Sequence, residues 1–137
     1  MILVDTNVLL DDLLNHPNWS TWSIAALEMA NASSKLAINP VIYTEVSLAF
    51  ERIEELEQLL AAAEIGVESI PREALFLAGK VFLKCRERQG SASSALPDCL
   101  IGAHAAVANA PILTRDAGRY RTYFPTVQLI SPDASAA

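Results

Sequence analysis

The chain has 137 residues, with 16 acidic and 10 basic side chains and a formal net charge of −6. That length makes one domain of ordinary size, able to bury a core without disulfides or a structural metal. Its 52% hydrophobic and 19% charged residues exclude a disordered chain, and the acidic balance argues against a nucleic-acid coat protein.

The elements follow in chain order. Ile2-Leu3-Val4 is a short apolar run of the kind that forms a buried strand. Asp5-Thr6-Asn7 ends it and caps a helix expected to reach Leu14. Pro17 breaks that helix, and a second spans about Trp19 to Asn31. Leu36-Ala37-Ile38 is the next strand. Asn39-Pro40 opens a long helical region to about Ala63, since Asn caps and Pro suits a first turn; a break is expected near Phe50. Gly66 to Ile70 is a third strand. Pro71 opens a helix to Gln89, and Gly90 closes it. Gly90 to Ala95 is a small polar loop, too short to link domains. Pro97 to Asn109 is an apolar helix, Pro111-Ile112-Leu113 a strand, Asp116 to Tyr123 a short helix and Val127 to Ile130 a last strand.

No internal repeat interrupts this order. Strands alternating with helices predict a three-layer α/β/α domain around a central, mostly parallel sheet. One domain over residues 1–130 is expected, with a frayed tail over 131–137. The most apolar stretch, Cys99 to Leu113, is short of a bilayer span, so no membrane partner is expected. The first residues lack a basic n-region and Asp5 interrupts them, unlike a signal peptide. Cys85 and Cys99 give neither a disulfide framework nor zinc spacing. A reducing, cytoplasmic setting is the expectation.

Charge is unevenly spread. Residues 1–79 hold three basic and twelve acidic side chains. Residues 80–121 hold seven basic ones (Lys80, Lys84, Arg86, Arg88, Arg115, Arg119, Arg121) against three acidic ones. Such asymmetry suits an anionic partner, although solvated helix faces explain it as well.

Four carboxylates stand where an acid is expensive. Asp5 follows the first apolar strand, and Asp116 holds the equivalent place after Ile112-Leu113-Thr114. In open α/β sheets, ligand-binding groups gather at the carboxyl ends of strands. Glu45 shares a helical face with Ile42, Val46, Ala49 and Ile53. Asp98 opens a helix with Ile101, Gly102 and Ala105 on its side. Taken singly, Asp5, Asp98 and Asp116 are also explained as helix N-caps, each contributing about 1 kcal/mol. Taken together, converging acids repel: two unit charges about 4 Å apart cost roughly 4 kcal/mol at an effective dielectric near 20. Protonation or a bound cation answers that cost. An all-oxygen set without His or Cys suits a hard ion, Mg²⁺ or Mn²⁺.

The ordered set Asp5-Thr6-Asn7, Glu45, Asp98-Cys99-Leu100-Ile101-Gly102-Ala103-His104-Ala105 and Leu113-Thr114-Arg115-Asp116 resembles the PIN-domain ribonucleases. It is most similar to the VapC toxins of toxin–antitoxin pairs. The resemblance implies a metal-dependent endoribonuclease that cuts phosphodiesters with an activated water, leaving 5′-phosphate and 3′-hydroxyl ends. Asp5, Asp98 and Asp116 match the metal-binding acids, Glu45 the acid that completes the catalytic set, and Asn7 and Thr114 the supporting polar positions. It implies an RNA substrate, a cognate antitoxin and a homodimer. Many relatives carry a further acid after the position of Asp116. Here Ala117-Gly118-Arg119-Tyr120 follows, so one ion is expected.

Arg115 and Arg119 are candidate phosphate contacts; for Arg115 a surface ion pair explains it equally. His104 reads as a packed histidine and Cys99 as a small core residue. Trp19 and Trp22 read as packing, with base stacking the lesser reading. Tyr120, Tyr123 and Phe124 read as packing around the last helix. Two rival functions remain. One is a non-catalytic PIN-like module that binds RNA or a protein. The other is a haloacid-dehalogenase-type phosphatase with Asp5 as nucleophile, which normally wants an acid where Asn7 stands.

Overall fold

The computed structural model describes residues 1–89 and 96–132. Among these residues, five short strands form one sheet: β1 (Ile2–Val4), β2 (Leu36–Ile38), β3 (Ile65–Val67), β4 (Ile112–Leu113) and β5 (Leu129–Ile130), in the order β3-β2-β1-β4-β5. Every pairing is parallel. Leu3 is in register with Ala37 on one side and with Ile112 on the other. Leu3, Val4, Ile38, Ile112 and Leu113 are fully buried. A parallel sheet covered on both faces needs such continuous apolar runs.

Among the described residues, seven helices surround the sheet: α1 (Thr6–Leu13), α2 (Ser20–Ser33), α3 (Pro40–Ser47), α4 (Ile53–Ala62), α5 (Arg72–Gln89), α6 (Leu96–Ala108) and α7 (Gly118–Arg121). α1 packs on α2 and on α3, and α5 packs on α6. No described helix is long and apolar enough to cross a membrane. Asn39 caps α3 by accepting from the Ile42 amide at 3.0 Å. Its Nδ2 donates to Nδ1 of buried His104, 3.2 Å away, tying α3 to α6. His104 is thus the packed histidine expected, and burial lowers its pKa.

The α/β/α architecture agrees with the expectation. The break near Phe50 is real, because α3 stops at Ser47 and α4 restarts at Ile53. Ile42 and Val46 are buried beside Glu45, whereas Ala49 lies in the connection and Ile53 is 64% exposed. The apolar face assigned to Glu45 is therefore shorter than its spacing predicts. The third strand ends at Val67, not Ile70, because its neighbour β2 is only three residues long. The last helix is only four residues, and Asp116 lies before it. Ser131 is 4% exposed, so the frayed tail does not begin there. The Gly90–Ala95 loop and residues 133–137 lie outside the described residues.

The strand order explains where a site forms. The chain builds outward from β1 through β2 to β3, then returns to place β4 on the other side of β1. The direction of winding reverses between β1 and β4, and loops leaving their carboxyl ends diverge there and open a crevice.

Candidate active site

Asp5 leaves β1 at this crevice and Thr114 leaves β4 beside it. Asp5 is 1% exposed, and four donors serve its carboxylate. Its Oδ1 accepts from the Thr6 amide at 2.7 Å. Its Oδ2 accepts from Tyr120 OH at 2.8 Å, Thr114 Oγ1 at 2.9 Å and Asn7 Nδ2 at 3.4 Å. Asp5 is an N-cap of α1, as one reading allowed, but three of these bonds have nothing to do with capping. A buried carboxylate is tolerable only when so satisfied.

The supporting side chains are themselves tied. Asn7 Nδ2 also lies 3.3 Å from Thr114 Oγ1, and Asn7 Oδ1 accepts from the Arg115 amide at 3.2 Å. Thr114 Oγ1 accepts from the Asp116 amide at 3.0 Å. The loop after β4 is thereby fastened to the start of α1. Glu45 approaches from α3, where Thr6 Oγ1 donates to its Oε1 at 2.6 Å.

Asp98, in the first turn of α6, completes the set. Burial pushes its pKa up to about 6; Arg119 lowers it, while Asp5, Glu45 and Asp116 each raise it. Asp98 thus feels the other three acids across the crevice. Arg119 Nη1 lies 3.6 Å from Asp98 Oδ1, and its Nε donates to Asp116 Oδ2 at 3.1 Å. This guanidinium bridges two of the acids. Burial works against its charge, but Asp98, Asp5 and Asp116 hold its pKa above the ordinary value.

Arg115 points elsewhere. Its Nε donates to Asp11 Oδ2 at 2.8 Å, and its guanidinium lies over the Trp19 ring. The ion pair is not a surface pair, because the Asp11 side chain is only 2% exposed. Cys99 is buried with its thiol pKa pushed up to about 11 by burial, which suits a core residue and not a nucleophile. Lys80, Lys84 and Arg88 are exposed on α5.

Several contributors escape a sequence reading. Tyr120 was legible as packing, being fully buried, but its hydroxyl bond to Asp5 spans 115 positions. Thr6 was legible only as the middle of a triplet. Asp11 and Ser23 carried no signal, since an acid one turn into a helix is ordinary.

The donor set has the chemistry of a hard-cation site, all oxygen and short of positive charge. In this arrangement, however, no three acidic, His or Cys side chains among the described residues are gathered so as to hold an ion. The residues fit a divalent ion by type and by their mutual repulsion, with Arg119 supplying the countercharge as they stand.

Fold and site together define a three-layer parallel α/β domain with an acidic centre at the reversal of its sheet. The PIN domain model matches residues 2–125, and the chain belongs to that family. Its fold is similar to that of VapBC2 from Rickettsia felis bound to a promoter DNA fragment (TM-score 0.72, 19% identity, 96% of this chain and 98% of that one). VapBC-1 from nontypeable Haemophilus influenzae gives 0.70, 18%, 96% and 98%. FitAcB from Neisseria gonorrhoeae gives 0.67, 20%, 96% and 98%. No curated protein sequence matches the chain.

Proposed function

We propose that this chain is a VapC-type toxin: a metal-dependent endoribonuclease that hydrolyses RNA phosphodiester bonds and is held in check by a cognate antitoxin. The observation that carries the reading is the electrostatic action of Asp5, Glu45 and Asp116 on Asp98, with Asp5 leaving β1 at the reversal of the sheet. Family membership and likeness to the VapBC and FitAcB structures support it. Asp5, Asp98 and Asp116 are assigned as ligands of one Mg²⁺ or Mn²⁺, with Glu45 completing the catalytic set. Such an ion supplies charge at the phosphorus centre and lowers the pKa of the attacking water.

The chain's own residues do the rest. Thr6, Asn7, Thr114 and Tyr120 fix the orientation of the Asp5 carboxylate, three of them through Oδ2 and one through Oδ1. Arg115 and Arg119 stand at the rim as the cations for phosphate oxygens. Exposed Leu75, Phe76 and Leu83 on α5 support the homodimer. A toxin of this type works in the cytoplasm, beside its RNA.

The test is RNA cleavage by the purified protein with Mg²⁺ or Mn²⁺, beside Asp5→Asn. Loss of cleavage in the variant is expected, and equal activity of the two overturns the site. The Arg119 bridge favours one second reading, a PIN-like module that binds without cutting. Calorimetry separates the two: divalent binding supports the nuclease, and RNA binding without it supports the module.

A further inference from the structure

Asp11 takes no part in the acidic centre, yet it is buried and charged. It lies four residues beyond Asn7 on α1, on the same helical side. Its Oδ2 accepts from Ser23 Oγ of α2 at 2.9 Å and from Arg115 Nε at 2.8 Å. The Arg115 guanidinium carbon lies 5.4 Å from the centre of the Trp19 ring. The Arg115 amide donates to Asn7 Oδ1, and Asn7 in turn donates to Asp5. A long cationic side chain is thus held at its backbone, at its side edge and across its face.

This much restraint has little value for stability alone. A buried ion pair is often no better than apolar packing of the same shape, because both charges must leave water. Its distinctive product is orientation. The pairing uses Nε, the side edge of the guanidinium, and leaves the two terminal nitrogens outside it. The Arg115 side chain is 30% exposed, next in sequence to Asp116. A planar fork of terminal nitrogens matches a phosphate with two parallel hydrogen bonds.

We propose that Asp11 is a positioning residue: with Ser23 and Trp19 it holds Arg115 so that its terminal nitrogens grip a phosphate of the RNA strand beside the one being cut. This inference rests on the ribonuclease reading. Asp11 touches no substrate and acts only through Arg115.

Charge and position predict opposite signs for Asp11→Asn, which makes the proposal testable. The substitution raises net charge by one, and charge alone strengthens RNA binding. Loss of position weakens catalysis, since a misplaced contact costs about tenfold or more. The full-length protein and its variants are compared in Mn²⁺-dependent cleavage of total cellular RNA. Binding of a labelled single-stranded RNA is followed against salt in Ca²⁺. Asp11→Asn is expected to slow cleavage about tenfold. Arg115→Ala is expected to do the same and to lower the salt slope by about 0.7, one phosphate's worth on a single strand. In the Arg115→Ala background, Asp11→Asn is expected to add nothing.

If Asp11→Asn does not fold, Trp19→Leu carries the test, with an expected loss of about threefold from the missing ring face. Wild-type cleavage matched or exceeded by the folded Asp11→Asn variant overturns the inference alone. So does a double variant whose losses multiply. A wild-type protein that cleaves no RNA overturns the ribonuclease reading, and this inference with it.

Discussion

Replacing Tyr120 by Phe removes one oxygen from the centre of the molecule and almost nothing else. Tyr120 is fully buried and its ring packs under the crevice, so the Phe variant keeps the shape and opens no cavity of methyl size. The lost group donates to Asp5 Oδ2 at 2.8 Å, the shortest of three bonds to that oxygen. Burial and the neighbouring Asp5 charge raise the Tyr120 pKa, so it is a neutral donor at every working pH. A hydrogen bond to a charged group contributes about 1.5–3 kcal/mol. Because Thr114 and Asn7 still serve Oδ2, the middle of that range is expected, about 2 kcal/mol or roughly 7 °C in Tm for a chain of this size. Urea and thermal denaturation measure it, with an unchanged urea dependence as the sign that the fold is intact. A loss below about 0.5 kcal/mol would show that the hydroxyl bond adds little to the buried carboxylate. That result would refute the account of how Asp5 is held.

Three further outcomes follow from neighbouring contacts. Burial pushes the Asp98 pKa up to about 6, above the ordinary carboxylate value of 3.8, so the folded state binds the extra proton; metal-free stability should therefore fall as pH rises from about 4 to about 6, and chemical denaturation at fixed low salt across that window would detect it. Arg119→Gln removes the guanidinium shared by Asp98 and Asp116, so Mg²⁺ binding by calorimetry should tighten; weaker or unchanged binding would mean that the arginine does not compete with the ion. A methyl group at Gly102 would overlap the Phe124 ring, so Gly102→Ala should cost about 1–3 kcal/mol, measured by urea denaturation.

The legible features were those set by near neighbours in sequence. The run Ile2-Leu3-Val4 and the acid directly after it put Asp5 at a strand's carboxyl end with no tertiary knowledge. Asn39-Pro40 announced α3 correctly, because capping is a local hydrogen bond. The last helix was overextended: Asp116 looked like a cap, but its amide is taken by Thr114 Oγ1 and the turn reaches helical form only at Gly118. Arg119 and Arg115 were named as cations at the site, and neither partner was foreseen. The carboxylates they meet come from α6, α1 and the loop after β4, and no periodicity links those segments. The Tyr120 hydroxyl was missed for the same reason, since an aromatic near the end of a domain reads as filling.

The bonds that hold Asp5 join positions more than a hundred residues apart. Asp5 leaves the ribosome more than a hundred residues before Thr114 and Tyr120. At about 5–20 residues per second, on the order of 5–20 s separate them. During that interval the carboxylate has only its local donors and the crevice has one wall. The acidic centre is therefore completed late, when β4 enters beside β1, and a chain cut short before Leu113 lacks the loop that carries Thr114 and Asp116.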